Sequence, residues 1–303
     1  MNAQNNPTKL DKDTDARARR LAVANMLEET AKKVILPRFR ALSSGDVREK
    51  KPGDLVTIAD EEAELMLSQS LTSLWPGSKI LGEEGVAGDA TRLSLAYENT
   101  PLWIIDPIDG TSNFVAGREH FAVIIALAVD GMITEGWIYQ PMAERMIYAK
   151  RGQGAWSLTN AGWQDSSLLD FDRNPNLRDM DAKSAIGTAY GQRKPPPDHA
   201  DHQDFERSLS EYLRKSGKIG TLMPQNSSGT EYISLALGEL HWSLHSRSLP
   251  WDHAAGMLIT AEAGGMASTL EGHDYDWRKT EQNPLASVNQ RLLSDVRAAV
   301  QIS

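Results

Sequence analysis

The sequence predicts an α+β protein, and three observations carry that expectation: helical apolar spacing near the start, consecutive antiparallel strand signals in the middle, and helix alternating with strand after about residue 200. Met1 to Asp15 is polar, lacks an apolar signal-like run, and reads as a disordered lead. From Ala16 to about Ala41, Leu21, Ala24, Leu27, Ala31 and Val34 recur at three- and four-residue steps among charged residues, which gives a helix one apolar face. Pro37 should end or kink it. Leu55-Val56-Thr57 reads as a short strand. Ala59 to Leu74 reads as a second helix, with Asp60, Glu61 and Glu62 in the first turn, where the helix dipole favours acids. Trp75-Pro76-Gly77 stops it. Ile80-Leu81 then leads into Gly82-Glu83-Glu84-Gly85, a glycine-bracketed carboxylate pair at a strand end.

The clearest hairpin signal is Phe121 to Val129, Asp130-Gly131, and Met132 to Tyr139, because Asp-Gly supplies the positive φ of a type I′ turn. A third strand, Arg145 to Ala149, follows the Gln140-Pro141 turn. Residues 162–197 turn polar and loop-like and include Pro195-Pro196-Pro197, which places a boundary near residue 158 between halves 16–158 and 159–303. In the second half, Asp204 to Lys215 and Thr230 to Leu237 read as helices, the latter stopped by Gly238. Glu239 to Leu244 reads as a strand, and Trp251 to Ala263 as a mostly buried helix ending at Gly264-Gly265.

A chain of 303 residues with 40% apolar and 24% charged content has ample material for a core. Its net charge of −9 argues against non-specific binding to nucleic acid or anionic membrane. The apolar run Phe121 to Val129 is too short to span a bilayer as a helix. The sequence-level expectation is a cytoplasmic protein with no transmembrane segment. With no cysteine, any metal must be held by oxygen or imidazole.

The chemistry concentrates in Asp106-Pro107-Ile108-Asp109-Gly110-Thr111, behind the apolar run Leu102-Trp103-Ile104-Ile105. Two carboxylates three residues apart, with a glycine and a hydroxyl behind them, put hard anionic oxygens where a divalent cation and a phosphate can meet. Pro107 fixes its φ near roughly −65° and biases Asp106 toward an extended backbone, so the chain is expected to turn between the two carboxylates. Taken singly, Glu83 reads as a turn acid, Asp252 as a helix-start acid, and Asp106 with Asp109 as an ordinary Asx-Pro-Gly turn. Together the four are what phosphate-ester hydrolysis by paired Mg²⁺ needs, since Mg²⁺ demands near-octahedral oxygen ligation. The amides of Gly110-Thr111-Ser112 suit a phosphate at a helix start, or else a plain Ser/Thr cap. Thr111 would orient a metal-bound water if a second carboxylate accepted its hydroxyl proton, and Asp60 is a candidate for that carboxylate, though an acid there also suits a helix start.

Gly82-Glu83-Glu84, the stretch from Trp103 to Phe114, and Pro250-Trp251-Asp252-His253-Ala254-Ala255-Gly256 resemble the three signature segments of the inositol monophosphatase family, in that family's order. Asp54-Leu55-Val56-Thr57-Ile58-Ala59-Asp60 adds a fourth match, and the resemblance covers roughly Ala16 to Gln290. It implies a layered αβαβα sandwich shared with fructose-1,6-bisphosphatase, and Li⁺-sensitive, Mg²⁺-dependent hydrolysis of phosphate monoesters. By position it assigns Glu83, Asp106, Asp109, Asp252 and the Ile108 carbonyl to two or three Mg²⁺ ions, and Gly110, Thr111 and Ser112 to phosphate. Thr111 and Asp60 become the pair that activates water, with Glu83 contributing to catalysis as well as ligation and Glu84 an acid standing behind the ligands. A homodimer is implied only by the resemblance.

One departure bears on substrate. Where inositol-cleaving members commonly place a glutamate seven residues before the motif aspartate, this chain has His245, followed by Ser246-Arg247-Ser248. Arg247 would suit a second anionic group on the substrate, or else is a surface arginine. The partner expected is therefore a small phosphate ester, inositol-phosphate-like. Histidinol phosphate, 3′-phosphoadenosine 5′-phosphate and fructose-1,6-bisphosphate are the alternatives, and a regulatory protein-interaction role on the same fold is the different-class rival. His199 and His202 are read as non-catalytic, and Lys50-Lys51 as a solvated loop pair at a place where the resembled family often keeps a lysine.

Overall fold

The computed structural model describes residues 9–159, 163, 165–190 and 208–300. Helix α1 (Lys9–Thr30) starts ahead of the Ala16 expected and passes through a widened turn, Ala31–Ile35, into a tight one, Leu36–Arg38, where Pro37 ends it. Residues 1–8 of the polar lead lie outside the described residues. Next come the hairpin β1 (Val47–Lys51) and β2 (Asp54–Thr57), helix α2 (Ile58–Leu74), strand β3 (Lys79–Gly82), helix α3 (Glu83–Gly88), strand β4 (Leu102–Asp109) and the single-turn α4 (Thr111–Val115). Strands β5 (Ala122–Val129), β6 (Met132–Gln140), β7 (Arg145–Lys150), β8 (Gly154–Thr159) and β9 (Asp165–Leu169) form a meander. The short α5 (Pro175–Arg178) leads to β10 (Ile186–Tyr190), then α6 (Leu209–Ser216), β11 (Thr221–Leu222) and α7 (Ser228–Ala236). The chain closes with β12 (Trp242–His245), α8 (Pro250–Glu262), β13 (Met266–Thr269), β14 (Pro284–Ser287) and α9 (Gln290–Val300).

Seven strands pair in the order β3-β4-β5-β6-β7-β8-β9, antiparallel except for β3 beside β4. Asp130 and Gly131 take φ of 52° and 76°, the turn expected between β5 and β6. The second sheet runs β11-β10-β12-β14-β13, with β10 parallel to both its neighbours. One face of the large sheet packs on α1 and α2 through Trp103, Ile105, Val123, Ile125 and Trp137. Its other face packs on α7 and α8, which in turn lie against the second sheet, and α6 and α9 cover the far side. These five layers are the expected αβαβα sandwich.

The polar stretch 162–197 holds more structure than its composition suggests, since β9, α5 and β10 all form there. β10 is built because Gly187-Thr188-Ala189 is buried between β11 and β12, so tertiary pairing overrides a weak local signal. The first sheet accordingly continues past residue 158, through β9. His199, His202 and the Pro195-Pro196-Pro197 run lie outside the described residues.

Helix α8 explains its own sequence. A Cβ on Gly256 would fall 2.1 Å from the Tyr232 ring of α7, and a Cβ on Gly136 of β6 would fall 3.0 Å from the Ala255 Cα. Only small residues let this helix lie so close to both neighbours, and that approach brings its first turn, with Asp252, to the end of β4. Among the described residues no helix is long and apolar enough to cross a membrane.

Candidate active site

Strand β4 sets the geometry. In a regular strand, residues three apart point to opposite faces. Here the chain does not turn between the carboxylates, as Pro107 suggested, but stays in the strand and bulges: Asp106 lies opposite Ile124 and Asp109 opposite Ala122, two positions that share a face. Pro107 has no N–H to give to the ladder, which suits an irregular site. The Ile108 amide donates instead to Asp106 Oδ1 at 3.1 Å. Its side chain packs into the core under α1 and α2, while both carboxylates face α7 and α8.

Gly110 turns the chain with φ of 87°, and a Cβ there would lie 2.9 Å from Ser227 Cβ and 3.0 Å from the His120 carbonyl. Glycine is needed both for the left-handed backbone and for the close approach. Helix α4 follows, with Thr111 half-buried, Ser112 exposed, and first amides that have no partner within the helix. Asn113 is buried and donates to the carbonyls of His120 at 2.6 Å and Gln225 at 2.8 Å, tying this turn to the loop before α7.

Glu83 from the start of α3, Asp106 from β4 and Asp252 from α8 each aim a carboxylate oxygen into one cluster, with these atoms within 4.8 Å of one another. Burial holds the Asp106 carboxyl well above its usual range, and Glu83, Asp109, Asp252 and Asp60 add repulsion. Asp252 is raised by the same causes, with burial first and then Asp109 and Glu83. Such a crowd of like charges at low dielectric calls for cations, and an all-oxygen donor set fits Mg²⁺ rather than a softer metal.

Asp109 sits differently. Its Oδ2 accepts from the Ser227 hydroxyl and the Gly229 amide at 2.8 Å, and its Oδ1 from the Ser228 hydroxyl at 2.9 Å and amide at 3.2 Å. The carboxylate is thus clamped by the N-terminus of α7, with burial raising its pKa and these donors opposing.

The predicted pair is assembled. The Thr111 hydroxyl lies 3.1 Å from Asp60 Oδ1 and 2.9 Å from the Ile108 carbonyl. Asp60 also closes a capping box on α2, its Oδ2 accepting from the Thr57 amide at 2.8 Å. Burial pushes Asp60 up to about 7, against the hydrogen bonds from Thr57 and with repulsion from Glu83.

Two supporting residues were missed. Lys50 is not a solvated loop residue: the β1–β2 hairpin carries it onto Glu83 at 2.8 Å and Glu84 at 3.0 Å. Burial opposes its charge, but these two carboxylates outweigh it and hold the ammonium protonated. Glu84 is pushed up to about 8 by burial and by Glu83, against Lys50. Glu64 accepts from the Glu84 and Gly85 amides, both at 2.8 Å, and so fixes the start of α3. Its signal lay in the sequence, since Asp60 and Glu64 share one face of α2 at i, i+4.

His245 and Arg247 line a pocket of about 130 Å³ that opens beside Asp109 and Asp252. Glu231 and Tyr190, which no motif marked, line it too. Burial pushes Glu231 up to about 8 and His245 down to about 4. His253, the residue after Asp252, lies 3.1 Å from the Arg247 carbonyl through Nε2. A carbonyl only accepts, so Nε2 carries the proton, and burial keeps the ring neutral so that Nδ1 accepts from the Tyr232 hydroxyl at 3.1 Å. This pins the backbone of Arg247.

These shifts have a consequence for stability. Asp60, Glu84 and Glu231 hold protons in the folded chain that the unfolded chain releases near pH 4, so their contribution is full below that pH and is lost as pH rises through about 7 to 8. Buried His245, lowered to about 4, works in the opposite sense, but only below its unfolded value near 6.5. Above about pH 6.5 the carboxyls decide. Thermal melts in a chelator should therefore show Tm falling from about pH 6.5 to 8.5, and the gain from Mg²⁺ growing over the same window. A Tm that rises with pH in chelator contradicts this.

The family model described as Inositol monophosphatase family matches residues 17–301. The chain is 30% identical to inositol monophosphatase 1 of Sus scrofa over 83% of each chain. It is 30% identical to the Nus factor SuhB of Xylella fastidiosa over 81% of this chain and 80% of that one. Among solved structures, the Thermotoga maritima IMPase superposes with a TM-score of 0.71 at 24% identity, covering 93% of this chain and 96% of the other. The clustered carboxylates, the Asp60–Thr111 pair and these likenesses converge: the chain belongs to the inositol monophosphatase family of phosphoric monoester hydrolases.

Proposed function

We propose that the chain is a Mg²⁺-dependent phosphomonoesterase acting on a small soluble phosphate ester, with Glu83, Asp106, Asp109, Asp252 and the Ile108 carbonyl as ligands for two or three ions. The observation that carries this reading is the cluster of Glu83, Asp106 and Asp252 beside the Thr111–Asp60 contact. When bound, Mg²⁺ supplies charge neutralisation and a lowered pKa for water. Thr111 orients that water by accepting its hydrogen bond while donating to Asp60, and Asp60 takes up the proton. The backbone at Gly110, Thr111 and Ser112 cradles the phosphate. Glu84 and Lys50 hold Glu83 in place. The released alcohol sits toward His245 and Arg247, where the guanidinium makes no hydrogen bond or ion pair among the described residues and suits a second anionic group.

Inositol phosphate is the leading substrate class, with histidinol phosphate, 3′-phosphoadenosine 5′-phosphate and fructose-1,6-bisphosphate as the alternatives. A Li⁺-sensitive, cytoplasmic homodimer completes the proposal. Phosphate release from these four esters with Mg²⁺, with and without Li⁺, tests it: Mg²⁺-dependent turnover of at least one ester, suppressed by Li⁺, is expected. No turnover of any monophosphate at high enzyme concentration sinks it. A regulatory role is the second reading, since one relative is named a Nus factor; the assembled Asp60–Thr111 contact favours hydrolysis.

A further inference from the structure

Asp109 is assigned to a cation, yet its carboxylate has no acceptor position to spare. An ionised carboxylate offers about four lone-pair sites on its two oxygens. Oδ2 accepts from the Gly229 amide at 2.8 Å and from the Ser227 hydroxyl, while Oδ1 accepts from the Ser228 amide at 3.2 Å and the Ser228 hydroxyl at 2.9 Å. A cation at Asp109 must therefore replace one of these donors. The two amides are fixed by the backbone at the start of α7. The Ser227 hydroxyl is fixed as well: its oxygen caps α7 by accepting from the Thr230 amide at 3.2 Å, and among the described residues Asp109 is the one acceptor for its hydrogen. Ser228 differs. Its hydroxyl oxygen also lies 3.0 Å from the backbone carbonyl of Asp252, so a single hydrogen has two acceptors to choose between. Giving up Oδ1 leaves this buried hydroxyl with a partner and costs little.

Resting on the phosphatase reading above, we propose that Ser228 is a positioning residue for the metal site: its hydroxyl fills Oδ1 of the metal-free carboxylate and swings to the Asp252 carbonyl when Mg²⁺ binds, which makes Oδ1 the oxygen given to the ion. Two consequences follow from this exchange. Asp109 keeps one orientation with and without the ion, because the Ser227 hydroxyl and the amides of Ser228 and Gly229 hold it throughout. The ion is also bound less tightly than the carboxylates alone would bind it, since the Ser228 hydroxyl competes for Oδ1. Both acceptors of that hydroxyl belong to residues assigned to metal, one at the end of β4 and one at the start of α8, so Ser228 sits where it can answer to the ion.

The test measures Mg²⁺ binding directly, by calorimetric titration and by thermal melts in chelator and in Mg²⁺, for the wild type, Ser228→Ala and Ser227→Ala. Ser228→Ala keeps the amide on Oδ1 but has no hydroxyl to displace, so its Mg²⁺ affinity should rise by roughly threefold to tenfold, the worth of one hydrogen bond. Its metal-free form should melt below the wild type, and Mg²⁺ should raise its Tm by more. Ser227→Ala loses the cap on α7 and a bond that metal binding leaves intact, so it should melt lower in both conditions with no gain in affinity. A Ser228→Ala that binds Mg²⁺ as the wild type does, or more weakly, overturns the proposal. So does a Ser227→Ala that tightens binding as much, because Oδ1 would then not be the oxygen selected. A Ser228→Ala that folds only in Mg²⁺ supports the exchange, whereas one that stays unfolded in Mg²⁺ overturns it by making the hydroxyl a contact that no ion replaces. A wild type that binds no Mg²⁺ overturns the metal reading itself, a result distinct from binding that Ser228→Ala leaves unchanged.

Discussion

Asp109→Asn is expected to reduce turnover by roughly 10³ or more, at least the ~10²–10³ lost on removing one preorganised transition-state contact, and to weaken Mg²⁺ binding in a calorimetric titration. It is also expected to lower the thermal stability of the metal-free protein, because Asp109 has a second task. Four donors from Ser227, Ser228 and Gly229 converge on its two oxygens. An asparagine presents an NH₂ where one of those oxygens stood, and whichever way the amide turns, it confronts a backbone N–H that cannot reverse its role. Leaving a buried donor unmatched costs about 1–3 kcal/mol. Melting curves in a chelator isolate that structural effect, and kinetics with Mg²⁺ read the chemical one. Wild-type turnover in this variant would remove Asp109 from the catalytic machinery.

Asp60→Asn and Thr111→Ala should each lower kcat by about 10²–10⁴, the usual contribution of a positioned proton acceptor, with KM little changed because neither residue lines the alcohol pocket. Here the structural cost is small. An asparagine at position 60 can keep its oxygen on the Thr57 amide, preserving the cap on α2, while turning its NH₂ toward the Thr111 hydroxyl, which ends that hydroxyl's role as donor. In the wild type, the rate should climb with pH as Asp60 loses its proton. Cations in the site stabilise the carboxylate, so with Mg²⁺ bound this limb should lie below the value of about 7 set by burial. The limb should vanish in Asp60→Asn. If it persists unchanged, the limb belongs to another group, and a KM change as large as the kcat change would mean that Asp60 acts on substrate binding.

The carboxylates were legible because each stands in a short run whose neighbours disclose its setting: an apolar strand before Asp106, glycines around Glu83, a small-residue helix behind Asp252. Glu231 was not, since Gly229-Thr230-Glu231-Tyr232 looks like any helix start, and only the docking of α7 against β10 and β12 turns its carboxylate inward. Lys50 was misread for a related reason. The pair Lys50-Lys51 is uniform in sequence, yet the hairpin seats Lys50 on Glu83 and Glu84 and leaves Lys51 largely in water. In the fold, the meander announced itself through Asp130-Gly131. The strands β10, β13 and β14 did not, being short and stabilised by neighbours distant in the chain.

The bulge in β4 has a bearing on how this site can be lost. Pairing residues 106–109 one for one with β5, without the bulge, would set Asp109 opposite Phe121 instead of Ala122 and restore an uninterrupted ladder, and by the standards of a sheet the result would be a better strand. It would also rotate Asp109 to the opposite side, away from the serines of α7 and toward the tryptophan-rich layer beneath α1 and α2. Regularity and reactivity therefore pull in opposite directions at this point of the chain. The enzyme depends on a local defect that the sheet, left to optimise its own pairing, would remove.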